Sequence, residues 1–289
     1  MLPILFTIPK IGSFGPFPIH TFGVVMLIAF VASMALARAR AWKFGISLAQ
    51  VGDASFWALI AGVLGARVVF IGQEWGYYSK HLDEVFSLKF SGLTSFGGLI
   101  FAVIALLFWA KRNKIAPARL FDSMAPAFLL GSAIGRVACF MNGCCYGGVC
   151  DPHAFLATQF VGVKGFHLPA QLYDAAMDGL FLLGLLAWEK RGLRMGQATG
   201  LAIAGYGLAR FIYEFWRAGT DSEVAQGLAT STRIHGTPFT EAQAMAAVLV
   251  VGGLIWFFIA RRNGPEFQPT TADVPVTPDL TPNQEALAH

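Results

Sequence analysis

Apolar runs close to 20 residues in length recur along the chain, separated by short clusters of Lys and Arg. That alternation constrains the fold more than any other feature. A helix rises about 1.5 Å per residue, so roughly 20 apolar residues cross the hydrocarbon core of a bilayer. The runs lie at Ile19 to Ala37, Val51 to Gly72, Ser95 to Ala110, Asp122 to Met141, Gln171 to Trp188, Ala198 to Trp216 and Ala242 to Ala260. They predict an all-α, polytopic membrane protein with about seven transmembrane helices. Only 13% of the residues are charged, about half the share in a soluble domain, so a water-facing surface is excluded.

The net charge of +4 does not point to nucleic acid, because the basic residues sit between apolar runs rather than along one stripe. They read instead as topology signals. Arg38, Arg40 and Lys43 follow the first run, Lys111, Arg112, Lys114 and Arg119 the third, Lys190, Arg191 and Arg194 the fifth, and Arg261 and Arg262 the last. Intervening loops are poorer in Lys and Arg, so the positive-inside rule predicts the N-terminus outside and the C-terminus in the cytoplasm. The first run is expected to be retained rather than cleaved as a signal peptide. Residues 1–262 are expected to form one transmembrane domain. The Pro- and Thr-rich stretch 263–289 cannot bury a core and is expected to be a disordered cytoplasmic tail. Trp75, Tyr77, Tyr78 and Trp216 fit interfacial anchors.

Taken in their predicted directions, the runs bring polar groups to one level near the outer face. His20 lies at the outer end of the first, Arg67 near that of the second, and Gly97 and Gly98 at the outer start of the third. The fourth ends with Arg136, Asn142 and GCCYG at Gly143 to Gly147; Gln171, Tyr173 and Asp174 open the fifth. Tyr206, Arg210, Glu214 and Arg217 recur at i, i+4, i+8 and i+11 of the sixth, so they share a helix face that must meet protein or water. Arginines inside a span can pair with Glu214 and Asp174 and merely fix packing. The three arginines Arg67, Arg136 and Arg210 outnumber those two carboxylates, however, and a guanidinium fork matches phosphate. An anionic ligand follows.

Gly131 and Gly135 form a GxxxG pair, and Gly200, Gly205 and Gly207 thin the sixth run, which predicts close helix packing. Gly97, Gly98, Gly143, Gly147 and Gly148 stand at span ends, where they either turn the chain or let backbone N–H groups approach a ligand. All four cysteines, Cys139, Cys144, Cys145 and Cys150, fall in one short stretch. On an oxidising outer face, packing or a disulfide joining Cys139 or Cys144 to Cys150 ranks first. A nucleophilic or redox thiol ranks second. Zinc ranks third, because adjacent cysteines fit the usual ligand spacing poorly. No metal and no cofactor are expected.

Five segments in order, IHTFG at Ile19 to Gly23, SFGGLI at Ser95 to Ile100, GRVACFMNGCCYG at Gly135 to Gly147, PAQLYD at Pro169 to Asp174 and GYGLARFIYEFWR at Gly205 to Arg217, resemble the prolipoprotein diacylglyceryl transferase family. The resemblance implies a multi-pass enzyme of the bacterial plasma (inner) membrane. Such an enzyme moves diacylglycerol from phosphatidylglycerol to the lipobox cysteine of a prolipoprotein and releases glycerol phosphate. Its partners would be an anionic phospholipid and the prolipoprotein signal peptide with its lipobox. It further implies that Arg136 and Arg210 hold phosphate, Glu214 orients Arg210, Asn142 and Gly147 line the headgroup site, and Gln171 and Tyr173 support it.

Departures from the family pattern are specific. Phe96 stands where the family shows a histidine before GGLI, Phe22 replaces a tyrosine, Cys139 an asparagine, and the CC of GCCYG a glutamate. Phenylalanine moves no proton. His20, Tyr206 or a cysteine, Cys144 or Cys145, would then take over the proton or nucleophile role. Two alternatives to the family reaction remain at this point. One is a paralogue modifying another lipid or acceptor with cysteine assistance; the other is a phospholipid-binding membrane protein without turnover.

Overall fold

A computed structural model describes residues 4–9, 17–84, 94–217, 234, 237 and 239–265; the tail expected from residue 263 lies outside them beyond Pro265. Seven long helices run through the described residues: α1 (Thr21–Ala41), α2 (Leu48–Gln73), α3 (Ser95–Arg112), α4 (Pro117–Asn142), α5 (Ala170–Glu189), α6 (Gln197–Arg217) and α7 (Glu241–Asn263). Each coincides with one of the apolar runs. Five, namely α1 with its following turn, α2, α4, α5 and α7, are long and apolar enough to cross a membrane by length and composition.

The all-α expectation omits two short antiparallel strand pairs. One joins β1 (Ile4–Ile8) to β2 (Phe17–His20), immediately before α1; the other joins β3 (Val149–Cys150) to β4 (Phe166–His167) between α4 and α5. The second pair lies between apolar runs, and the first overlaps them only at Ile19 and His20.

The described residues divide into two compact units, one holding those up to Ala37 and from Phe121 to Pro265, the other Arg38–Leu120. In the second unit, α2 packs on α3. Gly97 and Gly98 make that approach possible: a Cβ on Gly97 would lie 2.6 Å from the Gly65 carbonyl oxygen, and one on Gly98 3.2 Å from that of Gly62. Trp109 Nε1 donates to Asp53 Oδ2 at 2.6 Å, and Ser47 caps α2 through a reciprocal bond with Gln50.

In the first unit, α6 packs against both α5 and α7. Along α7, Ala246, Gly253, Phe257 and Ala260 are buried, while Val248, Val251, Ile255 and Phe258 are exposed. Such an apolar outer stripe would be an aggregation surface in water and suits lipid. The α6–α7 contact is backbone on backbone, since a Cβ on Gly200 would meet Phe257 N at 2.7 Å and one on Gly207 would meet Val250 N at 2.9 Å. Ala125, Leu129, Leu182, Leu185, Ala198 and Ala202 form the apolar core joining α4, α5 and α6.

Asp122, near the start of α4, is buried and caps α6 from outside that helix. Its carboxylate accepts from the backbone N–H groups of Gly196 and Thr199 and from the Thr199 hydroxyl. These are among the donors that the first turn of a helix leaves unbonded. The cap sets the starts of α4 and α6 side by side. Their ends therefore also meet, and the polar residues gather there.

Candidate functional site

At its C-terminal end α4 stops in a Schellman turn: Gly143 N–H donates to Phe140 O and Cys144 N–H to Cys139 O, with Gly143 at φ 74°. Cys145 follows at φ 63°, an uncommon conformation for a side chain with a Cβ. Neighbouring side chains hold this turn. Gln171 Nε2 donates to Cys144 O at 2.6 Å, and the Tyr213 hydroxyl donates to Cys145 O at 2.9 Å. Gly147 N–H donates to Leu168 O and Gly148 N–H to Trp216 O. A side chain at Gly147 would meet Trp216 O at 2.7 Å, so Gly147 contributes close packing, its N–H already engaged.

Above the turn the charges form a layered arrangement. Arg136 Nε lies 2.6 Å from Asp174 Oδ2, and Arg210 Nη1 lies 2.9 Å from Glu214 Oε2, with Arg217 Nη1 3.8 Å from the same oxygen. The carboxylates are 2% and 0% exposed and the three guanidinium side chains 18% to 25%. Acid lies beneath and base on top. The Tyr213 ring sits under two of the cations, 4.8 Å from the Arg136 guanidinium carbon and 4.6 Å from that of Arg210. The Asp174 pair engages Arg136 through Nε, and a guanidinium carries five N–H donors in all. Two arginines held against one ring can thus both offer donor forks to a phosphate.

Sequence reasoning placed Arg136, Asp174, Arg210, Glu214 and Arg217 together, and the fold brings them together. It also expected Arg67 in that set. Arg67 belongs to the other unit, where it donates to Glu84 O at 3.1 Å and lies over the Tyr78 ring. Tyr206 packs edge-on to Phe128, and Tyr173 bonds to Phe155 O and packs against Trp216. Asn142 ends α4 with an exposed side chain. His20 ends β2 with an exposed side chain.

Two residues escaped the sequence reading. Tyr213 is fully buried at the centre of the site, and its position three residues after Arg210 and one before Glu214 was the available signal. Asp178, also fully buried, follows Asp174 by one helical turn.

The expected disulfide to Cys150 does not form. All four cysteines are free thiols; Cys150 pairs in β3, while the sulfurs of Cys139, Cys144 and Cys145 lie within 4.8 Å of one another. The reversal at Gly143 and Cys145 explains the difference by turning both adjacent cysteines back toward Cys139. Hydrogen bonds from the Cys139 and Cys145 thiols hold the Cys144 thiol well below its ordinary value. Burial, followed by the neighbouring Asp151 carboxylate, pushes Cys150 up.

A family model described as prolipoprotein diacylglyceryl transferase matches residues 9–259. This chain belongs to that family. A phosphatidylglycerol–prolipoprotein diacylglyceryl transferase of Streptococcus uberis is 29% identical over 261 residues, covering 88% of this chain and 96% of the relative. The enzyme of the same name from Streptococcus pyogenes serotype M5 is 30% identical over 255 residues, covering 86% and 93%. The matched span takes in all seven long helices up to Ile259 and every residue of the charged layer.

Proposed function

We propose that this transferase moves the diacylglyceryl group of phosphatidylglycerol to the lipobox cysteine of prolipoproteins, in the plasma membrane of a bacterium. Seven crossings with the N-terminus outside would put the charged layer at the outer headgroup level. The observation that carries this reading is the pair of guanidinium groups, Arg136 and Arg210, held over one buried tyrosine ring. Attack by a thiolate on the glycerol carbon beside the phosphate ester drives negative charge onto the leaving phosphate. Preorganised cations are what such a transition state requires.

In this reading Arg136 and Arg210 bind the phosphate, Asp174 and Glu214 fix their planes, and Tyr213 sets their spacing. Asn142, Gly147, Gln171, Tyr173 and Tyr206 shape the headgroup pocket, while Gly97 and Gly98 serve the packing of α2 on α3. The test uses purified full-length protein, phosphatidylglycerol vesicles and a lipobox peptide. The peptide should gain the mass of a diacylglyceryl group, and Arg136→Ala and Arg210→Ala should each remove at least ~100-fold of the rate. A peptide of unchanged mass under these conditions would overturn the proposal.

A further inference from the structure

We infer that Cys139, Cys144 and Cys145 form a three-thiolate zinc site whose fourth coordination position takes the acceptor cysteine of the substrate. The inference rests on the transferase reading above and names the group that activates the acceptor thiol.

Three observations carry it. The three sulfurs already lie within 4.8 Å of one another, and Zn–S bonds of about 2.3 Å in tetrahedral geometry bring sulfurs to roughly 3.8 Å apart. Small rotations about the Cα–Cβ bonds cover the difference. Cys145 is held at positive φ by bonds from Tyr213 and Gln171 to the two carbonyls of the pair. Uncommon backbone conformations that the surroundings over-determine cluster at functional sites. Gln171, fully buried beside this turn, keeps Oε1 without a donor among the described residues. A water held at the open position would give that buried acceptor its missing donor.

Chemistry then selects the ion and the role. Soft thiolates favour zinc, and three protein ligands with one open position is the pattern of catalytic rather than structural zinc. A thiol that coordinates zinc loses its proton outright. The incoming thiol displaces water from the open position and gives its proton to solvent. Its sulfur then bonds to the glycerol carbon carrying the phosphate ester; the C–O bond breaks, and the electron pair leaves on the phosphate oxygen as glycerol phosphate. No imidazole is needed, which suits a chain with Phe96 at the family's histidine position. Tyr213 links this site to the arginines, since its hydroxyl holds Cys145 and its ring lies beneath Arg136 and Arg210.

The experiment measures metal in full-length protein purified in detergent with a reductant and no chelator. One zinc per chain is expected. It should be lost in Cys139→Ser, Cys144→Ser and Cys145→Ser but kept in Cys150→Ser, which lies outside the cluster. With cobalt(II) in place of zinc, sulfur-to-cobalt absorption should grow when a lipobox cysteine peptide is added and stay unchanged with its serine analogue. Protein that is metal-free with three reduced thiols, or that carries a disulfide within the cluster, overturns the inference. So does cobalt protein blind to the peptide thiol. Full lipid transfer by the zinc-free triple serine variant would overturn it while leaving the transferase reading intact.

Discussion

The Tyr213 hydroxyl donates to the backbone carbonyl of Cys145 at 2.9 Å. Through this bond α6, which carries Arg210, Glu214 and Arg217, is tied to the turn that closes α4 and carries Arg136 one turn and a half earlier. The same ring supports both phosphate-directed guanidinium groups. One residue thus sets the distance between the two arginines and the cysteine turn.

Tyr213→Phe keeps the ring and loses the bond, so stability should fall by about 1 kcal/mol, with the larger effect on transfer of the acceptor. Tyr213→Leu removes the cation–ring contact as well and should raise KM for phosphatidylglycerol further. Thermal unfolding in detergent and transfer kinetics separate the two. Equal behaviour of Phe and Leu variants would contradict a positioning role for the ring.

Asp174→Ala leaves Arg136 facing a buried site without its counter-charge, and breaking a buried pair in this way costs about 3–5 kcal/mol. Arg136→Lys cannot restore the planar fork and should recover little activity. A double-mutant cycle on Arg136 and Asp174 should return a coupling above about 1 kcal/mol; additive effects would show that the 2.6 Å contact contributes nothing.

Asp122 acts at the opposite end of the same helices. Asp122→Ala frees the N–H groups of Gly196 and Thr199 and should lower stability by roughly 3 kcal/mol, the range of bonds to a charged acceptor. At temperatures where the variant remains folded, KM for phosphatidylglycerol should be unchanged. A selective rise in KM without loss of melting temperature would be the wrong signature for a cap.

Two neighbouring glycines on α7 should respond oppositely. A Cβ at Gly253 would lie 2.6 Å from the backbone nitrogen of Ala204, whereas Gly252 has nothing within 4 Å. Gly253→Ala should destabilise by about 1–3 kcal/mol through forced separation of α6 and α7. Gly252→Ala should be neutral or stabilising by up to ~1 kcal/mol, from helix propensity. Parallel melting curves decide the matter.

The thiols differ in their pH response. The Cys144 thiol is held below its ordinary value by its bonds from Cys139 and Cys145, whereas Cys150 is raised by burial and Asp151, so Cys144 ionises at the lower pH. In chelator-treated, reduced protein, iodoacetamide should label Cys144 first near pH 7, and up to about pH 9 its rate should rise less steeply than that of Cys150. Labelling of Cys150 should climb about tenfold per pH unit over that range. Peptide mass spectrometry reads both, and faster labelling of Cys150 at neutral pH would refute the ordering.

The helices were legible in the chain because membrane insertion is decided locally: an apolar run of sufficient length is a helix whatever it later packs against. For the same reason the spacing of Tyr206, Arg210, Glu214 and Arg217 located the charged face of α6, and the glycines of α6 foretold its close packing on α7. The strand pairs were missed because they form in short loop segments with no long-range periodicity.

What the sequence determined by itself was therefore the set of helices, the family and the residue types that could meet a phosphate. Tertiary structure alone decided that Arg210 and Arg217 share the Glu214 carboxylate while Arg136 pairs with Asp174 against the same Tyr213 ring, because pairing depends on distances between helices far apart in the chain. It alone revealed Tyr213 as the common support of Arg136 and Arg210. It also replaced a disulfide to Cys150 with a cluster of three thiols, because the direction of a side chain in a turn is set by one or two backbone angles, at Gly143 and Cys145, that no spacing rule records.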